Sequence, residues 1–166
     1  MSIKFCRVME YSKWKLTALV ILRLVIGWHF FYEGMIKILT PSWTSKAYLL
    51  DSGGFAKPFF EWIANNQQVL AVNDTLNAWA LTLIGLSFLA GIFVRPAAVA
   101  GMVLLMLYYL SHPPFPGIEY LFPSDGSYFI INKTLIEISA IWVILLFPTE
   151  KIIGLARLIP NKKNKQ

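Results

Sequence analysis

Four long apolar blocks constrain the fold of this chain more than any other feature. They lie at about residues 16–39, 75–94, 96–111 and 128–147 of the 166-residue sequence. A helix needs roughly 20 mostly apolar residues to cross the ~30 Å hydrocarbon core of a bilayer. Only 14 % of the residues are charged, whereas a soluble domain carries about 25 %. The sequence therefore predicts an all-α membrane protein with one domain, a four-transmembrane-helix bundle over residues 1–166.

The net charge of +6 is distributed in a way that predicts the topology. Lys and Arg are concentrated in residues 1–15 and in the tail 148–166, while segments 40–74 and 112–127 are slightly acidic. Cytoplasmic loops of membrane proteins carry the excess of Lys and Arg. We therefore expect both termini in the cytoplasm, Arg95-Pro96 as an inner turn, and a multi-pass position in a bacterial-type inner membrane. Nucleic-acid binding is not expected, because no basic patch lies outside this pattern.

The loops add three expectations. Segment 40–74 is rich in aromatic residues, and within it the stretch FAKPFFEWIANN is predicted to form a helix in the membrane interface. It would serve either as an ordered cap over the bundle or as a gating lid. Asn73-Asp74-Thr75 is predicted to cap the second long helix. The single cysteine, Cys6, excludes an intramolecular disulfide and a CxxC redox pair, and the N-terminus does not resemble a cleavable signal peptide.

Ionisable residues at membrane depth are costly, so each is a candidate for function. His29, Glu33 and Lys37 follow one another at intervals of four and share one face of the first helix. Lys133 and Glu137 share a face of the last helix. Because the first helix is predicted to run outward and the last inward, these side chains reach the same outer depth. We therefore predict two ion pairs between the helices, Glu33 with Lys133 and Lys37 with Glu137, with His112 close by.

Three interpretations of these residues remain open. In the first, the charges only fix the packing of the bundle. In the second, they line a polar pocket, open to the outer side, that binds a small anion or a quinone-like headgroup. In the third, a metal ion is held by His29, His112, Glu33 and Glu137, although the nearby lysines would repel a cation. In the pocket interpretation, the proton-transferring residues are Glu33, Glu137 and His29, and the ligand-binding residues are Arg23, Lys37, Lys133, Asn132, His112 and Arg95. Soluble-type hydrolase or kinase activity is not expected, since the chain has no Walker, GxSxG, HExxH or GxGxxG motif.

The chain resembles the DoxX family of small four-helix membrane proteins, including its DoxD-like branch. LRLVIGWHFFYEGMIKI is similar to the opening helix of the family, and LIGLSFLAGIFVRPAA to its second helix and Arg-bearing turn. YLLDSGGFAKPFFEWI resembles the aromatic loop of the DoxD-like branch, and NKTLIEISAIWVILL the closing helix.

The resemblance implies a four-helix bundle and, for one branch, a membrane subunit of a thiosulfate:quinone oxidoreductase. Quinone would then be the cofactor. The lipid bilayer and a second redox or envelope protein would be the partners, with homo-oligomers left open. Dithiol chemistry, which another branch uses, is not expected with Cys6 alone. The alternative is a non-catalytic membrane anchor or assembly module of a larger complex.

Overall fold

The computed structural model describes residues 12–115, 117, 118, 120, 121 and 129–158. Cys6 and the end of the basic tail lie outside the described residues. Within this part of the chain there are six α-helices and three short 3-10 turns at Gly54–Ala56, Thr149–Lys151 and Leu155–Leu158. The α-helices are α1 (Lys13–Leu39), α2 (Lys46–Leu50), α3 (Lys57–Asn65), α4 (Gln67–Ala90), α5 (Val94–Ser111) and α6 (Lys133–Leu146).

Four helices form an antiparallel bundle, and three of them, α1, α4 and α5, have the length and apolarity that a bilayer crossing requires. Helix α6 runs beside α5 and has 14 residues, which gives it a length of about 21 Å. The all-helical membrane fold is therefore confirmed. The predicted fourth span is present in the bundle as a helix shorter than a full crossing.

Helix α4 begins at Gln67, so its predicted start near residue 75 was wrong. Asn66 is the residue that caps it, since its side-chain oxygen accepts a hydrogen bond from the Val69 amide at 3.3 Å. The expected cap at Asn73-Asp74-Thr75 lies inside the helix. Asp74 instead holds the start of α2, because its carboxylate accepts hydrogen bonds from the Ser45 amide at 3.0 Å and the Thr44 hydroxyl at 2.7 Å.

The turn between α4 and α5 also differs from the prediction. Gly91 caps the C-terminal end of α4 and adopts φ 66°, in the left-handed region that glycine tolerates. The turn therefore precedes Arg95 and Pro96, which lie in the first turn of α5. Proline fits there, because amides in the first turn have no acceptor within the helix. Helix α6 starts at Lys133 rather than near 128, where Asn132 caps it by accepting from the Leu135 amide at 3.0 Å.

The bundle has two ends, named here after a hydrogen-bonded cation of α1 at each. The Arg23 end carries the α4–α5 turn and residues 149–158; the Lys37 end carries residues 40–66, the cap segment. Cap-segment helices α2 and α3 enclose a small core of their own, formed by Leu49, Phe60, Ile63 and Ala64. Helix α3 falls within the predicted interface stretch, and its exposed aromatics are Phe59 and Trp62.

Helices α1 and α4 form the most extensive interface of the bundle. Their backbones approach closely where both carry glycine: a Cβ atom on Gly85 would lie 2.6 Å from Phe31 Cα and 2.7 Å from the Gly27 carbonyl oxygen. Small residues allow such contact between membrane helices. Beside it lies the main core, in which Phe30 and Phe88 are fully buried.

We expect Gly85→Ala to destabilise the bundle by about 1–3 kcal/mol, since the added methyl group would overlap the α1 backbone. Gly101→Ala is the matched control, because the nearest atoms would lie 3.5–3.6 Å from its Cβ, at ordinary contact distance. Thermal unfolding in detergent measures both variants. Equal melting temperatures for them would contradict a glycine-dependent α1–α4 contact.

Candidate functional site

A cavity of about 530 Å³ lies at the Lys37 end, between α1, α4, α5 and α6 and beneath the cap segment. Its base is apolar and is formed by Phe30, Leu81 and Leu105. Of the nine predicted site residues, the cavity is lined by His29, Glu33, Lys37, His112, Asn132, Lys133 and Glu137.

Lys37 is held at the wall of this cavity by several contacts. Its ammonium group donates to Asn77 Oδ1 at 3.0 Å and lies 3.5 Å from the Tyr108 hydroxyl. It also lies 5.1 Å from the centre of the Trp43 ring, within the range of a cation–π contact. The Asn77 amide and the Tyr108 hydroxyl bond to each other at 2.7 Å. A neutral amide and two aromatic rings therefore position the charge of Lys37.

Glu137 faces His29 across the bundle, with 3.6 Å between the carboxylate and the His29 Nε2 atom. The predicted pairing of Lys37 with Glu137 was therefore wrong. The reason is geometric: Lys37 lies on the side of α1 that packs against α4, whereas α1 and α6 share a small interface. Lys133 is close enough to Glu137 to attract it electrostatically. Glu33 is likewise close enough to Lys37 to attract it electrostatically.

His112 follows α5 and is held between two tyrosine rings of the cavity wall. Its ring lies 4.0 Å from that of Tyr48 and 4.7 Å from that of Tyr120, measured between centroids. One ring nitrogen lies 3.0 Å from the Ser111 hydroxyl oxygen, and the other lies 3.6 Å from an Asp51 carboxylate oxygen. This stack links the cap segment to the segment that follows α5.

Burial in the stack lowers the pKa of His112 below its usual value, and the nearby Asp51 carboxylate opposes part of that effect. Burial also raises the pKa of Tyr48 and of Tyr120 above the ordinary phenol range. The stack is therefore neutral at pH 7, with both phenols protonated. The Tyr120 hydroxyl uses its proton to bond the Pro113 carbonyl oxygen at 2.9 Å.

Arg23 and Arg95, both predicted to bind the ligand, lie at the opposite end. Arg23 is 2 % exposed and donates to the Thr149 hydroxyl at 3.1 Å and to the Ile153 carbonyl at 2.8 Å. Arg95 approaches Glu150 at 4.0 Å. Fourteen positions separate Arg23 from Lys37 on α1, a distance of about 21 Å along the helix. At this end both arginines hold the segment that follows α6.

Asn77, Tyr108 and Tyr48 are cavity residues that the sequence interpretation missed. Asn77 was a usable signal, as a polar residue in an apolar helix, but the late predicted start of α4 placed it near a helix cap. The metal interpretation finds no geometric support among the described residues, where no three His, Cys, Asp or Glu side chains come together. His112 lies with Asp51 and two tyrosines instead.

We expect acid to loosen the cap segment. Because folding lowers the pKa of His112 from about 6.5, the folded stack binds fewer protons than the opened one. Its stability is therefore fully present above about pH 6.5 and declines as the pH falls towards the lowered pKa. Hydrogen exchange of residues 46–56 at pH 7.5 and 5.5, corrected for intrinsic rates, measures this. His112→Phe should remove the pH dependence of this exchange. The same pH dependence in the variant as in the wild type would contradict the prediction.

Comparison with known proteins agrees with this architecture. The family model DoxX matches residues 18–113, which include most of α1, all of α2 to α5 and six of the nine predicted site residues. No curated protein and no solved structure gives a significant match. Since the matched region covers more than half of the chain, the protein belongs to the DoxX family of membrane proteins.

Proposed function

We propose that the cavity at the Lys37 end binds the oxygen-bearing head of a quinone, or a small anion, and exchanges protons with it. The observation that carries the proposal is the placement of Lys37. Its ammonium group is held by Asn77, Tyr108 and Trp43 at the wall of a cavity large enough for a drug-sized molecule. A fixed donor of this kind suits a carbonyl or anionic oxygen.

The proton-handling role belongs to Glu137 and His29 in this proposal. Both line the cavity, and their side chains lie 3.6 Å apart, close enough for a proton to pass between them after a small adjustment. Glu33, which is exposed at the cavity edge, connects the pair with the surroundings. Carboxylates and histidines form proton relays in other membrane proteins.

A quinone in this cavity would supply two-electron chemistry, since its reduction to a quinol takes two electrons and two protons. The chain would bind one oxygen through Lys37 and deliver or accept protons through Glu137 and His29. The electrons would come from, or go to, a second redox subunit in the same membrane, with thiosulfate as the donor in the family resemblance. The Lys37 end would face the outside of an inner membrane, with both termini in the cytoplasm.

Substitution of Lys37 tests the binding step. Lys37→Met keeps most of the side-chain volume but removes the donor, and should weaken binding by about 1.5–3 kcal/mol, the range for hydrogen bonds to charged groups. Lys57→Met, which alters a half-exposed lysine in α3, is the matched control. Binding of decylubiquinone is followed by tryptophan quenching, and binding of thiosulfate by thermal stabilisation. Wild-type affinity of Lys37→Met for both would refute the binding site.

The proton-transfer step is tested with glutamine. Glu33→Gln and Glu137→Gln should abolish binding or turnover while the protein stays folded in detergent, because glutamine keeps the shape and removes the titrating group. Glu61→Gln in α3, whose carboxylate pairs with Lys57 at 3.7 Å, is the control. Unchanged quinone binding and quinone-linked activity in both variants would refute the relay.

A second candidate, a non-catalytic anchor for a larger complex, is supported by the exposed aromatic surface of the cap segment. Phe55, Phe59 and Trp62 are each more than half exposed there, and aromatic residues are common at protein interfaces. Isolation from native membranes separates the two proposals. A stoichiometric protein partner without a bound small molecule favours the anchor, whereas a bound quinone or anion favours the binding cavity.

A further inference from the structure

The side of the cavity where α1 meets α6 is here called the seam. Its lining residues differ in exposure from those on α4 and α5. Of the residues that line the cavity from α4 and α5, Leu81 and Leu105 are buried, at 4 % and 5 % exposure, and Asn77 and Tyr108 are partly buried. At the seam, Glu33 and Lys133 are exposed, and the His29 side chain is 40 % exposed. Among neighbouring helices of the bundle, α1 and α6 also share the smallest interface.

The top of the cavity, by contrast, is covered. Trp43 and Tyr48 from the cap segment lie over it, together with Tyr120 from the segment after α5. The Tyr48, His112 and Tyr120 rings stack at 4.0 and 4.7 Å, which leaves no room for a molecule to pass between them. Among the described residues, the seam is therefore the side on which charged lining residues are exposed; Thr44 and Ala47 of the cap segment, which also line the cavity, are exposed as well.

Apolar side chains flank the seam on its outer surface. On α1, Tyr32 is 53 % and Ile36 is 42 % exposed. At 100° per residue, Ile36 projects within about 20° of His29, and Tyr32 within about 60°. On α6, Ile136 is 61 % exposed and directly precedes Glu137. A polar cavity thus continues sideways into an apolar surface at membrane depth.

We infer that the ligand enters laterally from the bilayer through the seam, and that it is an amphiphile with an oxygen-bearing head and an apolar tail. The head lies at Lys37, and the tail leaves over Ile36 and Ile136. This inference rests on the proposed binding function and selects its quinone-type ligand over a water-soluble anion. An anion using this route would have to leave water for hydrocarbon, which is costly, whereas the tail of an amphiphile never leaves the lipid.

A photoreactive quinone tests the route. The full-length protein in nanodiscs is irradiated with a ubiquinone analogue that carries a diazirine on its tail, and labelled peptides are mapped by mass spectrometry. We expect labels on residues 28–36 of α1 and 136–143 of α6, and their loss when excess decylubiquinone competes. Competed labels on residues 43–48 or 112–121 would overturn lateral entry, as would cross-links that join two copies of the chain at the seam.

Narrowing the seam adds a kinetic test. Ile36→Trp and Ile136→Trp should slow competed labelling about tenfold, within the range over which association rates vary among variants of one site. Leu83→Trp is the matched control, since Leu83 is 56 % exposed on α4, away from the seam. Equal labelling rates in all three variants would overturn the inference.

The two proposals fail in different ways. If a tailless quinone still binds in a Lys37-dependent manner while tail labels fall on the cap segment, the cavity function stands and lateral entry is refuted. If neither the tailed nor the tailless quinone binds, and Lys37→Met changes nothing, the cavity function fails and lateral entry fails with it.

Discussion

The close approach of α1 and α4 determines where the polar groups of this protein lie. In lipid, helices gain little from burying apolar surface against one another, so close backbone contact between small residues supports much of their association. Gly27 and Gly85 provide that contact, and Gly34 meets Thr82 one layer further along. A shift of α4 by one residue would move its side chains by about 100° around the helix. The hydrogen bond between Lys37 and Asn77 therefore depends on glycines two to three turns away.

The buried Arg23 and the partly buried Lys37 are both hydrogen-bonded to neutral acceptors. Arg23 bonds a hydroxyl and a backbone carbonyl, and Lys37 bonds an amide next to a phenol. These neutral partners satisfy N–H groups of the cations by hydrogen bonding, while the carboxylates of Glu150 and Glu33 attract Arg23 and Lys37 electrostatically. At the Lys37 end this leaves Glu137 to face His29 rather than the lysine. In the proposed function, a carboxylate that does not bond Lys37 would be available for proton transfer.

The sequence predicted the fold class and seven of the residues that line the cavity, because both depend largely on local periodicity. Apolar blocks mark the helices, and a spacing of four residues places His29, Glu33 and Lys37 on one face. Which helix that face meets is a tertiary property, so the partner of Lys37 was assigned to α6 instead of α4. Arg23 was grouped with Lys37 by its angle around the helix, although about 21 Å of helix axis separates them. Helix starts were predicted less well, since Asn66 and Asn73 are equally good caps by residue type.

The seam between α1 and α6 follows from the way the other interfaces are built. Glycines join α1 to α4, and α6 packs into the core through Ile138, Ile141 and Ile144. Helix α6 contains no glycine, and the residues that it directs towards α1 at the Lys37 end are Lys133 and Glu137. These long polar side chains occupy the space between the two helices, where Glu137 lies 3.6 Å from His29. The same residues that make the cavity polar therefore keep one of its sides from closing by helix packing.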